Sequence, residues 1–131
     1  MSATGVPACV PRYFELMNAD RWDEFGEVWN EDAEHAAPGA GSRQGRDTIV
    51  EFYRHLFDLW DEHDDRPTRY VVAEDGAYVT VEVTYVGKLK DGRELSFEAI
   101  DTVEVRDGRI AKLVTWYDSG LLRKLLLKGQ Q

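Results

Sequence analysis

The residue type that stands out for its chemistry is an aspartate placed where the surrounding pattern demands an apolar side chain. Side chains alternate between faces along Phe97–Val105, so Phe97, Ala99, Asp101, Val103 and Val105 fall on one side, and Asp101 is the polar exception. The other side carries Glu98, Thr102 and Glu104, as expected where one face of a sheet meets water. A carboxyl on the dry face must pair with a cation, be hydrogen-bonded, or keep its proton with a raised pKa. In the last case it is a proton donor near neutral pH. A second titratable group, His35, shares a short extended face with Ala33 and Ala37. It either transfers protons, for which an unperturbed pKa of about 6.5 is suited, or hydrogen-bonds a buried backbone group.

The elements that position these groups follow from periodicity. Val10, Tyr13, Phe14 and Met17 have helical spacing, with Pro11 tolerable in the first turn. Asp20 is placed to cap a second helix with an apolar stripe of Trp22, Phe25, Val28 and Trp29. A brief extended piece, Ala33 to Ala37, ends at Pro38 and a Gly/Ser-rich loop over 39–45. The third helix, from about Asp47 to Trp60, repeats Ile49, Phe52, Tyr53, Leu56, Leu59 and Trp60 at spacings of three and four. Trp60 either closes a cavity mouth or ends this helix. The acidic run from Asp61 to Pro67 reads as a solvated loop, and His55 and His63 as solvated side chains. Strands then follow over Thr68–Ala73, Tyr78–Leu89, Glu94–Arg106 and Arg109–Asp118, joined by turns at Glu74-Asp75-Gly76, Asp91-Gly92 and Asp107-Gly108. After Gly120 comes a leucine-rich helical face of Leu121, Leu122, Leu125 and Leu126, with Arg123, Lys124 and Lys128 solvated.

Helices followed by a curved antiparallel meander define an α+β domain with helices on one side of the sheet. A sheet folded around the longest helix leaves a pocket, with Asp101 in its wall. Val79, Val81, Val83, Phe97, Leu113, Thr115 and Tyr117 are expected along that wall, a set that would equally make a packed core.

Bulk properties narrow the partners. At 131 residues the chain fits one domain, 1–131. A formal charge of -9, with no basic cluster, argues against nucleic acid or anionic lipid. The single cysteine, Cys9, excludes an intrachain disulfide, and the His and Cys spacings give no metal signature. The first residues lack the pattern of a signal peptide, and no apolar run has membrane-spanning length, so a cytoplasmic protein is the default expectation.

The order of elements, together with Arg12-Tyr13, Asn18-Ala19-Asp20, the run from Gly45 to Tyr53, Ala99-Ile100-Asp101 and Asp107-Gly108-Arg109-Ile110, resembles the nuclear transport factor 2-like superfamily. Its members share a cone-shaped fold and include ketosteroid isomerase, limonene epoxide hydrolase and SnoaL-like polyketide cyclases. By resemblance to ketosteroid isomerase, Tyr13 and a protonated Asp101 would hold a substrate carbonyl or enolate, Tyr53 would support Tyr13, and Phe52 would line the pocket. The catalytic carboxylate of that family corresponds to Ala37, which moves no proton; His35, on the same face, is the replacement base. Against limonene epoxide hydrolase only Asp101 matches, with Ala99 at the arginine position and Thr115 at the second aspartate. The SnoaL-like cyclases fit best. The resemblance therefore implies a cofactor-independent cyclase or isomerase of a hydrophobic, polyketide-type molecule, with Asp101, Tyr13 and His35 catalytic and a homodimer paired through the sheet. A non-catalytic carrier or scaffold, or an epoxide hydrolase with a rearranged site, are the alternatives.

Overall fold

The computed structural model describes residues 5–127. Its first helix, α1 (Cys9–Asn18), carries Pro11 in the first turn and buries Tyr13, Phe14, Leu16 and Met17. Asp20 then adopts a left-handed φ of 55° and leaves α2 (Trp22–Phe25) without a side-chain cap, so the expected capping role is not taken up. Its carboxylate turns instead toward a strand, where it accepts a hydrogen bond from His63. The apolar stripe expected on one helix is divided, because a 3-10 turn, Gly26–Val28, ends the helical segment and Trp29 opens β1 (Trp29–Ala36). That strand starts earlier than the alternation of alanines suggested, and Ala33, His35 and Ala37 are all buried.

Within the Gly/Ser-rich stretch a short strand, β2 (Ser42–Gln44), pairs antiparallel with β1, and α3 (Arg46–Phe57) follows. The largest departure from expectation comes next. Asp61 to Pro67 is not a solvated loop but the first half of a long strand, β3 (Trp60–Val72). The acidic residues hid its alternation: Asp61, Glu62, Asp64 and Arg66 are exposed, while Asp65 is buried and the His63 side chain is 6% exposed. Pro67 is compatible with this strand because β3 lies at the sheet edge and a bulge follows between Pro67 and Arg69.

The meander β4 (Tyr78–Leu89), β5 (Glu94–Arg106) and β6 (Arg109–Tyr117) lies where the Asp-Gly turns place it. At the last of them Asp107 and Gly108 both take positive φ, 54° and 74°, the twist that a two-residue hairpin requires. The strand order is β2-β1-β6-β5-β4-β3. β1 runs parallel to β6, so the open sheet is mixed rather than wholly antiparallel as expected. Phe25, Trp29 and Ile49 join α1 and the inner residues of β4–β6 in one core. The last helix, α4 (Ser119–Leu127), buries no residue fully and is tied down where Arg93 Nη1 donates to the carbonyls of Leu125, at 3.1 Å, and Leu126, at 2.6 Å. Lys128 lies outside the described residues. Among the described residues no helix is long and apolar enough to cross a membrane.

Gly87 stands opposite His63 in the β3–β4 register, with the Trp60 ring pressed against its α-carbon. A Cβ there would come within 2.6 Å of Trp60 Cε3 and 2.8 Å of the Glu62 carbonyl oxygen. Because one of these neighbours is backbone, Gly87→Ala is expected to cost about 1–3 kcal/mol through overpacking and to shift Trp60 fluorescence. Thermal unfolding with an unchanged midpoint would contradict this packing.

Candidate functional site

Along the inner face of the sheet the rows of facing residues change character. The row Val79–Val103–Leu113 is fully buried in the core cluster to which α1 and Trp29 also belong. The next contains Val81, Asp101 and Thr115, then Val83, Ala99 and Tyr117, and finally Asp65, Tyr85 and Phe97. A cavity of about 130 Å³ opens beside the later rows, where Thr115, Tyr117, Asp65, Tyr85 and Phe97 line it together with Tyr13 and Met17 of α1 and His35 of β1. The structure therefore divides the expected wall. Phe52, Tyr53, Trp60, Phe97, Thr115 and Tyr117 line the cavity, whereas Val79, Val81, Val83, Ala99 and Leu113 are buried in the core or packed behind it. Trp60 ends no helix; it opens β3 at the cavity.

Asp101 is 0% exposed and is likewise absent from the lining, so it lies behind the cavity wall rather than in it. Neither of its carboxyl oxygens has a hydrogen-bond partner among the described residues. Thr115, opposite it on β6, is close enough to ease the burial but falls short of hydrogen-bond geometry. Loss of solvent is the dominant effect, and the nearby Asp65 carboxylate adds to it, so the Asp101 pKa is pushed up to about 7. Among the described residues Asp101 has no cation to pair with and no hydrogen bond of full geometry, Thr115 being the nearest to one, and the raised pKa favours retention of the proton.

Hydroxyls surround this acid. Tyr13 and Tyr53 share a hydrogen bond of 2.7 Å across the α1–α3 contact, and both line the cavity. Burial, reinforced by the negative charge available to Asp101, drives the pKa values of Tyr13, Tyr53 and Tyr85 well above that of a free phenol. These groups act as neutral donors throughout the physiological range. A neutral acid beside a tyrosine pair is an arrangement able to hold negative charge developing on a ligand oxygen.

His35 is in the cavity wall, but its environment does not suit the role of base. Arg43 Nη1 donates to its Nδ1 at 2.8 Å, and the Arg43 guanidinium lies 3.6 Å above the Phe52 ring. Arginine has no acceptor, so Nδ1 must carry the lone pair and Nε2 the hydrogen. Burial first, and the Arg43 charge second, lower the His35 pKa to about 3. At neutral pH this imidazole donates a hydrogen bond and accepts no proton.

A further titratable group came from the misread loop. His63 places Nδ1 3.1 Å from Asp65 Oδ2 and Nε2 2.7 Å from Asp20 Oδ1, with Phe57 stacked on the ring at 4.2 Å. Asn18 fixes the backbone of Asp65 on both sides, accepting from its N–H and donating to its carbonyl. Both His63 and Asp65 line the cavity. The available signal was the alternation of His63, Asp65 and Pro67 across an acidic run. Among the described residues no group of side chains is placed to hold a metal ion.

With the geometry in place, comparison supplies the kinship. Residues 10–113 match the model of the SnoaL-like domain, and the chain belongs to that family. Among solved structures, a proposed polyketide cyclase from Xanthomonas campestris pv. campestris is 20% identical, with a TM-score of 0.81 over 91% of this chain and 93% of that one. An LEH-like epoxide hydrolase from M. tuberculosis is 19% identical, with a TM-score of 0.80 over 99% and 95%. An NTF2-like protein of unknown function from Burkholderia pseudomallei gives 17% and 0.82 over 94% and 98%. At these identities the likeness is one of fold. No curated protein matches the chain.

Asp101 and His35 give stability opposing pH dependences. Asp101 has a folded-state pKa near 7 against 3.8 unfolded, so the folded protein holds a proton that the unfolded chain has released, and stability falls as pH rises through that window. His35, lowered from 6.5 to about 3, does the reverse: stability is lost as pH falls through the same range. Asp101→Asn removes only the first slope. Its stability relative to wild type is expected to improve by on the order of 3 kcal/mol between pH 4 and pH 7. Urea unfolding at both pH values reads the difference, and a pH-independent difference would mean Asp101 is ionised in the fold.

Proposed function

We propose that the protein is a cofactor-independent acid/base enzyme acting on a hydrophobic small molecule, as a cyclase or isomerase of a polyketide-type compound. The observation that carries this reading is the buried Asp101, without a hydrogen-bond partner and set directly behind an apolar cavity rimmed by tyrosine hydroxyls. A structural aspartate in such a place would be expected to have a partner. In this reading Asp101 supplies a proton to a carbonyl, epoxide or leaving oxygen of the ligand. Thr115, opposite Asp101 on β6 and itself in the cavity lining, is the group through which its proton would pass once a ligand draws the two into hydrogen-bond contact. Tyr13, aligned by Tyr53, donates to the same oxygen, and His35, neutral and fixed by Arg43, offers Nε2–H as a further donor rather than serving as the base. No cofactor or metal takes part. Two copies are proposed to pair across the outer face of the sheet, where Ile100 and Trp116 are opposed and exposed.

Fold kinship supports the substrate class without fixing it, since cyclase-like and epoxide-hydrolase-like structures share this scaffold. One observation favours a carrier instead: Asp101 does not reach the cavity surface. Turnover of apolar ketones and epoxides of aromatic polyketide type in ¹⁸O-labelled water separates the readings. The expected product is an isomer of the substrate without solvent oxygen, with kcat lowered about 100-fold or more in Asp101→Asn. Incorporated label would indicate hydrolysis. Unchanged turnover in Asp101→Asn would remove Asp101 from the chemistry, and equal ligand affinity with no conversion by either protein would make it a carrier.

A further inference from the structure

The acid/base reading leaves a proton acceptor unassigned, because Ala37 cannot serve and His35 is held neutral with its lone pair engaged. Resting on that reading, we propose that Asp65 is the base of the cavity, held in position by His63, which is in turn held by Asp20.

The geometry is that of a carboxylate–imidazolium–carboxylate chain. His63 Nδ1 and Nε2 each face a carboxylate oxygen, and both nitrogens donate when the ring carries its second proton. Burial alone would oppose that charge, but Asp65 and Asp20 outweigh it and raise the His63 pKa. The Phe57 ring stacked on the imidazolium adds a further favourable contact. Only Asp65 Oδ2 is engaged by His63, so Oδ1 is left for the ligand, and Asp65 lines the cavity with a side chain 2% exposed. The backbone clasp by Asn18 sets the position of this strand against α1. A carboxylate held in a dry pocket and oriented on one oxygen is a stronger base than one in water.

Proton movement in the proposed step is balanced by Asp101. Asp65 Oδ1 takes a proton from a C–H or O–H bond of the ligand. The electron pair of that bond forms the new bond of the enol or ring, and the ligand oxygen that gains charge receives the proton released by Asp101. Asp65 feels the titratable groups of every element around it: His63 and Asp64 on its own strand, Asp20 after α1, Asp101 on β5, Tyr53 on α3 and Tyr85 on β4.

The base can be tested without the natural ligand by using 5-nitrobenzisoxazole, an apolar probe of pocket bases. A base removes its C3 proton, the N–O bond breaks, a nitrile forms and a coloured phenolate is released. The wild-type protein is expected to accelerate this opening over acetate at the same pH, and Asp65→Asn to lose at least tenfold of the rate. His63→Gln removes the cation beside Asp65 and is expected to move the midpoint of the pH–rate profile upward by about one unit. Asp20→Asn, an exposed substitution that does not endanger folding, removes a negative charge that raises the Asp65 pKa and is expected to move the midpoint in the opposite direction by less. A rate that survives Asp65→Asn and falls in Asp101→Asn would overturn this assignment while leaving the acid/base reading of the cavity in place. A midpoint unmoved in both His63→Gln and Asp20→Asn would overturn the positioning chain, and a wild-type rate no greater than that of acetate would overturn the base itself.

Discussion

Removing the carboxyl of Asp101 from water is the constraint on which the remaining polar arrangement depends. An ionised aspartate at 0% exposure with no cation beside it would carry a large desolvation cost, and protonation is the way to avoid it. That one proton also spares three buried tyrosines a second negative charge, since Asp65 already acts on Tyr53 and Tyr85. It explains why the deepest polar layer consists of neutral donors: tyrosine hydroxyls, Thr115, a neutral His35 and a protonated acid. Arg43, the cation beside His35, is spent on that imidazole and on the Phe52 ring.

Charge is collected in a second set of side chains. His63, Asp65 and Asp20 form an ionic set running from the cavity wall to the surface, where Asp20 is 59% exposed. The pocket is thus served by a neutral set around Asp101 and an ionic set around Asp65, with Phe52, Leu56 and Phe57 of α3 and Phe97 of β5 also in its wall. Protons can then be given by one set and taken by the other with the two carboxyls kept in different states, the separation on which acid/base pairs depend. Asp65 helps to hold Asp101 neutral, since its negative charge is among the causes of the Asp101 shift. The two sets are coupled.

Much of this was legible from residue pattern. The alternation of Phe97–Val105 placed Asp101 in the interior, the Asp-Gly turns placed β4 to β6, and the family resemblance gave the fold. What pattern missed has a common cause: side chains chosen for a polar interior imitate a solvent-exposed segment. Asp61–Pro67 looked like a loop because two of its inward positions are His63 and Asp65 rather than valines. Asp20 looked like a helix cap, but its carboxylate is committed to His63. The parallel pairing of β1 with β6 and the burial of Val79, Val81 and Val83 in the core are long-range outcomes that local periodicity does not encode. The role of His35 turned on Arg43, a residue with no signal of its own in a Gly/Ser-rich stretch.

Whether Asp101 keeps its proton near neutrality is tested most directly by carbon-detected NMR of its side-chain carboxyl. The resonance, identified by its loss in Asp101→Asn, should titrate with a midpoint near 7. A midpoint at or below the usual carboxylate value of about 3.9 would show an ionised, compensated aspartate, and the proton donor behind this cavity would not exist.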